Sequence, residues 1–199
     1  MSSIDIALSP PQRLAVAYAR SDFRPGFALL LAFDARLADI VGRSSEPMIA
    51  QMKFAWWYDA ISRDAVNRPK GEPMLLALSE LAVPAMDAAM QQLLDAWGLL
   101  LADDNWTADL VDLFAFSRSA AIFSTYAGWV RQNVDVSATG NAWAKADLKQ
   151  RFGAKVLCLL DEEIPTLRTT RQLRPLSILA LSVANPSASK MLWHALTGR

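Results

Sequence analysis

Side chains that could do chemistry in this sequence are mostly carboxylates and arginines. Two carboxylates four residues apart on a helix share a face, and two such pairs facing each other can hold Mg²⁺. The chain has 20 acids. None has another acid four residues on: Asp34 is followed by Ala38, Asp39 by Arg43, Asp104 by Ala108, Asp109 by Leu113 and Asp147 by Arg151. A helical metal site of that kind is therefore not expected, and no cofactor is expected.

Other groupings have ordinary structural explanations. Asp103, Asp104, Asp109 and Asp112 cluster near a helix start, where acids offset its positive end. Arg168, Arg171 and Arg174 recur every three residues; they could recognise phosphate or anionic lipid, but such a row is more often a solvated face paired with acids, here Asp161 to Glu163. Trp56 and Trp57 could line an apolar groove, yet adjacent helical residues point about 100° apart, so packing explains them as well. His194 is the only histidine and Cys158 the only cysteine. Neither a multi-histidine metal site nor an internal disulfide can form. No Gly-rich phosphate loop, CxxC pair or HExxH is present, and no catalytic residue is assigned.

The elements that must carry these residues are helices. Apolar residues recur at three and four, Ala and Leu dominate, and alternating β-branched runs are missing. The spacing predicts helices from Pro10-Pro11 to Arg20, 26 to 41, and from Ser45-Glu46-Pro47 onward, with Ser45 as cap. The third is expected to carry Ile49, Lys53, Trp56 and Ala60 on one stripe. Asn67 to Pro73 reads as a loop. Further helices are expected over 74–82, 84–102, 106–132, 138–160, 172–184 and 186–197. The fold class is all-α, one domain over 1–199, with residues 1–9 flexible.

Composition narrows the partners. The chain has 199 residues, 20 basic against 20 acidic, which argues against nucleic acid as a partner. Apolar residues make up 53%, with seven Trp, and mean hydropathy is +0.17. That suits a well-filled helical core or an apolar groove. The N-terminus lacks a secretory pattern, and no apolar run approaches the roughly 20 residues of a membrane span. The expected location is cytoplasmic, with attachment to the inner-membrane surface allowed.

From residue 13 onward the order of signals resembles the squalene/phytoene synthase family. RLAVAYAR is similar to its opening helix, RPGFALLLAFDARLADIV to the helix of its first aspartate-rich motif, and SEPMIAQMKFAWWYDAI to the next helix. LLDAWGLLLADDNWTADLVDLFAFSRSAAIFSTYAGWV resembles the central helix pair, with Gly128 near its Ala-Gly turn. GNAWAKADLKQRFGAK resembles the segment of the second motif. The resemblance implies an isoprenoid synthase fold, shortened at the C-terminus relative to full synthases. It places Ala38 and Gly42 where the outer acids of the first motif belong, leaving Asp39 between them. It places Arg151 and Lys155 where the second acid pair belongs, where they could bind diphosphate without metal.

The resemblance thus implies a pseudoenzyme: a binding or assembly protein on a synthase-like scaffold. AFDARLADIVGRSSEPMIAQMKFAWW looks closer to the branch of the family that contains a respiratory complex I assembly factor. The residues it suggests for binding are Asp39, Trp56, Trp57, Gly128, Arg151 and Lys155. The expected partners are an isoprenoid diphosphate or lipid in an apolar groove, or a protein in membrane-complex assembly. Two alternatives stand beside this. One is a divergent prenyltransferase condensing farnesyl or geranylgeranyl diphosphate with a partner subunit that supplies acids. The other is an isoprenoid or lipid carrier.

Overall fold

A computed structural model describes residues 8–43, 46–102, 106–156, 163–165, 167, 170–184, 193–194 and 197. Among them there is no strand, and the class is all-α.

Helix starts follow local chemistry. Helix α1 (Pro10–Tyr18) opens with two prolines, whose missing N–H groups cost nothing in a first turn. Gln12 Oε1 reaches back to accept from the Ser9 N–H at 2.8 Å. Arg13 donates to the Leu8 carbonyl at 2.7 Å, and Leu8 is buried; the chain is anchored from residue 8, and residues 1–7 lie outside the described residues. Helix α2 (Arg24–Arg43) is the longest, with both Phe27 and Phe33 fully buried. Helix α3 (Pro47–Ser62) has Pro47 in its first turn; the expected cap, Ser45, lies outside the described residues.

Helix α4 (Pro73–Glu80) is capped by Glu72, which accepts from Met74 N–H at 3.3 Å. Helix α5 (Met86–Leu99) follows Ala85, whose φ of 56° is a left-handed turn position. Helix α6 (Ala108–Ser119) is capped by Thr107 Oγ1 on Leu110 N–H at 3.3 Å.

The helix expected over 106–132 is not uniform. After Ser119 it widens into a π-turn over Ala120–Ser124, then resumes as α7 (Thr125–Trp129). The turn packs against α8 (Ser137–Phe152). A Cβ on Gly140 would meet Ser119 Cβ at 2.8 Å and Phe123 Cγ at 3.1 Å. The two backbones approach closely where the π-turn forms, and such turns often re-aim side chains at functional sites. Helix α7 ends with Gln132 N–H on Ala127 O and Arg131 N–H on Gly128 O, both 3.0 Å. That paired closure is a Schellman cap, with Arg131 rather than glycine at φ 55°. Helix α8 stops at Phe152, short of residue 160; residues 157–160 lie outside the described residues. Helix α9 is Arg174–Ala184. Of the helix expected over 186–197, only Trp193, His194 and Thr197 are described, and they are helical.

Helix α6 packs on α5 and α8, α2 on α5, α3 on α5, and α9 on α1 and α8. These contacts enclose a continuous apolar core that includes Trp57, Trp97, Trp106, Trp129 and Trp143. No described helix is long and apolar enough to cross a membrane.

Candidate functional site

Three helices bring four charged side chains together inside this core. Asp34 sits midway along α2, and Arg118 near the end of α6, just before the π-turn. Asp147 and Arg151 lie one turn apart on α8. Asp34 and Arg118 are fully buried, and Asp147 is 8% exposed. Asp34 and Arg118 stand in largely apolar helical stretches, LLLAFDA and LFAFSRSAAIF, whereas Asp147 and Arg151 lie in the more polar AWAKADLKQRF.

Arg118 grips Asp34 with a two-pronged fork: Nε donates to Oδ1 at 2.8 Å and Nη2 to Oδ2 at 2.7 Å. Nη2 also donates to Asp147 Oδ2 at 2.6 Å, and Nη1 to the Ala144 carbonyl at 3.4 Å. Trp97 Nε1 donates to Asp34 Oδ1 at 2.8 Å. Arg151 Nε donates to Asp147 Oδ2 at 2.8 Å, from a partly exposed position. Two acids meet two arginines, so the cluster carries no net charge. Aromatic rings close over the guanidinium: Trp143 at 4.2 Å, Trp97 at 5.1 Å and Phe114 at 5.7 Å, centroid distances at which cation–π attraction operates.

The electrostatics are self-consistent. Burial opposes the charged form of Arg118, but Asp34 and Asp147 more than offset it and hold the guanidinium protonated. Burial likewise pushes the Asp147 carboxyl up, and Arg118 and Arg151 overcome it, so the carboxyl stays below its ordinary range.

The acids do not suit Mg²⁺. Both oxygens of Asp34 already accept hydrogen bonds from Arg118 or Trp97. A guanidinium lies between the two carboxylates where a cation would have to go. Among the described residues no group of three His, Cys, Asp or Glu could hold a metal.

The sequence-predicted binding residues separate into places. Asp39, Trp56 and Trp57 line a groove of about 490 Å³ between α2 and α3, with Arg36, Met52 and Lys53. Trp56 is 44% exposed there, whereas Trp57 is buried against Phe33. Asp39 also borders an adjoining cavity of about 400 Å³ that reaches Arg151 and Gln12. Asp39 pairs with Arg43 at 3.4 Å, an exposed contact. Lys155 lies elsewhere, its Nζ 5.3 Å from the centre of the Trp106 ring. Gly128 is exposed on α7, with open space where a Cβ would stand.

Of the weaker groupings, Asp112 pairs with Lys145 at 2.7 Å, while Asp103 and Asp104 lie outside the described residues. Cys158 and Arg168 do so as well. His194 Nε2 shares a hydrogen bond with Ser177 Oγ at 2.7 Å.

Sequence reasoning missed Asp34, Arg118 and Trp97. The available signal was a lone charge inside each of two apolar helical runs, because burying one requires a partner of opposite sign.

Compared with known proteins, the chain matches no family model, no curated protein and no solved structure.

Proposed function

We propose that this protein is a non-catalytic binding or assembly protein built on a helical scaffold resembling that of the squalene/phytoene synthases. One observation carries the reading. The helices that resemble the two motif-bearing helices of that family, α2 and α8, are joined through Asp34, Arg118 and Asp147. In that family's chemistry, metal ions between such helices neutralise a leaving diphosphate. Here a fixed guanidinium holds the carboxylates, and the interior is tied shut by hydrogen bonds and aromatic rings. A buried, fully paired cluster suits a rigid scaffold better than a centre that must accept metals and release product.

Binding would then fall to the outside. The α2–α3 groove combines apolar Ile49, Met52 and Trp56, all exposed, with basic Arg36, Arg43 and Lys53, which outnumber its acids Asp39 and Glu72. A surface of this kind accommodates an apolar partner with acidic or phosphate-bearing groups. In keeping with the branch it resembles, the partner we propose is a component of a membrane complex under assembly, with respiratory complex I as the first candidate.

The test is deletion of the gene followed by measurement of complex I assembly and activity. The reading expects both to fall, and to recover with the wild-type protein. Unchanged assembly and activity would refute the assembly role. Labelled C30 or C40 product from farnesyl or geranylgeranyl diphosphate would refute the non-catalytic one.

A further inference from the structure

From Ala108 to Trp129 the chain forms one helical rod: α6, the π-turn and α7 in succession. One side of α6 packs on α5 and α8. The other side faces outward and carries Leu113 and Phe116, which are 51% and 59% exposed. Beyond them the outward row is small: Ala120 is half-buried, and Ser124 and Gly128 are exposed. A Cβ on Gly128 would meet nothing within 4 Å. The one charged residue between Leu113 and Val130 is Arg118, and it is fully buried. The outward face of a surface helix is ordinarily charged, and here it is bare over most of the rod.

The π-turn keeps the row together. Phe116, Ala120, Ser124 and Gly128 are spaced by four, and on a regular α-helix such a row drifts about 40° around the axis at each step. The π-turn over Ala120–Ser124 winds more widely and takes up that drift. Charge sits at the two ends of the row. Asp109 is exposed in the first turn of α6, and Arg131 is exposed just past the end of α7. Among the described residues neither side chain makes an ion pair. Asp112, to one side of the row, is held by Lys145 of α8 at 2.7 Å.

This pattern is complementary to itself when reversed. A second copy laid antiparallel, with the two-fold axis at Ala120, sets Phe116 beside Ser124 of that copy, Leu113 beside its Gly128 and Asp109 beside its Arg131. Large side chains then meet small ones and each acid meets a base, twice over by symmetry. A parallel copy would instead set Asp109 on Asp109 and Gly128 on Gly128, opposing like charges and leaving a gap at the small end. From Asp109 to Arg131 the row is about 33 Å long, and at a helix diameter of about 10 Å it covers roughly 330 Å² per copy. A standard stable interface buries about 800 Å² per partner. The area fits a weak, reversible dimer, not an obligate one.

We infer that the outward face of α6 and α7 docks a second copy of this chain, antiparallel about Ala120, to form a reversible homodimer. The surface shares no residue with the α2–α3 groove and stands whether or not the assembly role does.

The test is sedimentation velocity on the full chain from micromolar to hundreds of micromolar. The expected result is a concentration-dependent monomer–dimer equilibrium. Phe116→Glu should abolish it, with helical content unchanged by circular dichroism. Asp109→Arg and Arg131→Asp should each weaken it about tenfold or more, because like charges then face each other at both ends of the seam. Mixed together, these two variants should associate again, since each supplies the charge that the other lacks. Trp56→Gln, in the α2–α3 groove, should leave the equilibrium as it is. A chain that stays monomeric throughout would overturn the inference. So would association that survives Phe116→Glu, that the mixture fails to restore, or that Trp56→Gln removes.

Discussion

Arg118 Nη2 and Asp34 Oδ2 meet at 2.7 Å, and neither side chain has any solvent exposure. The two residues are 84 positions apart in the chain, so the contact locks α6 to α2. Such a pair is not a large net source of stability, because desolvation offsets its attraction. Removing one partner is different, since the other is left charged and alone.

Replacing Arg118 with Met should therefore destabilise the fold by about 3–5 kcal/mol, the range for breaking a buried pair. Replacing Asp34 with Asn in the same protein should restore part of that loss, because the stranded charge is gone. Urea denaturation of the two single variants and the double variant measures this. Equal stability of Arg118→Met and wild type would show that the ion pair does not hold the core.

Trp97 takes part in the same network through Nε1. Trp97→Phe keeps a ring but leaves Asp34 one donor short. Arg118 Nε still donates to Oδ1, so the expected loss is that of one hydrogen bond to a charged group, about 1.5–3 kcal/mol. A loss no larger than that of a surface substitution would mean Asp34 finds another donor.

Acid sensitivity follows from Asp147. Its folded-state pKa is below its ordinary value of 3.8, through Arg118 and Arg151 acting against burial. A group depressed in the folded state stabilises above its unfolded pKa and loses that contribution as pH falls through the folded one. Stability should thus decline as pH drops below about 4. Asp147→Asn should be less stable at pH 7 and show a shallower decline. Identical acid limbs for variant and wild type would contradict this.

Much of the fold was legible before any coordinates. Pro10 and Pro47 mark two helix starts in the sequence, and both hold; Pro73, read as the end of a loop, is instead the first residue of α4. The buried face of α3 was not legible. Ile49, Lys53 and Trp56 of the expected stripe face solvent, while Ala50, Phe54, Trp57 and Ile61 face the core, and Ala60 is buried. That helix is apolar on all sides, so periodicity does not choose a face. The π-turn after Ser119 was invisible too, since AAIFS carries no breaker. The Arg118 cluster joins residues from three helices, and its geometry exists only once the helices pack. Arg171 and Arg174 were legible in a row with Arg168, which lies outside the described residues; that they share a cavity lining with Arg20 and Arg24 was not.

The close approach of α6 and α8 gives a further expectation. Gly140→Ala would push a methyl into Ser119 Cβ at 2.8 Å and Phe123 at 3.1 Å. A destabilisation of about 1–3 kcal/mol is expected from overpacking. Thermal denaturation checks it, and an unchanged Tm would show that the π-turn can yield.

At Arg131 the sign reverses. Its φ of 55° suits glycine, and the Schellman hydrogen bonds use only backbone. Arg131→Gly should be neutral or stabilising, by up to about 1 kcal/mol, despite the loss of a long side chain. A clear loss in urea denaturation would mean that the Arg131 side chain holds the turn.

The most direct test of the central claim is calorimetric titration with a non-hydrolysable farnesyl diphosphate analogue, first with Mg²⁺ and then with EDTA. With Arg118 holding Asp34 and Asp147, the heats should be the same in both buffers, whether or not the analogue binds. Binding that appears with Mg²⁺ and vanishes with EDTA would contradict the account, because it would require carboxylates that the structure shows committed to arginine.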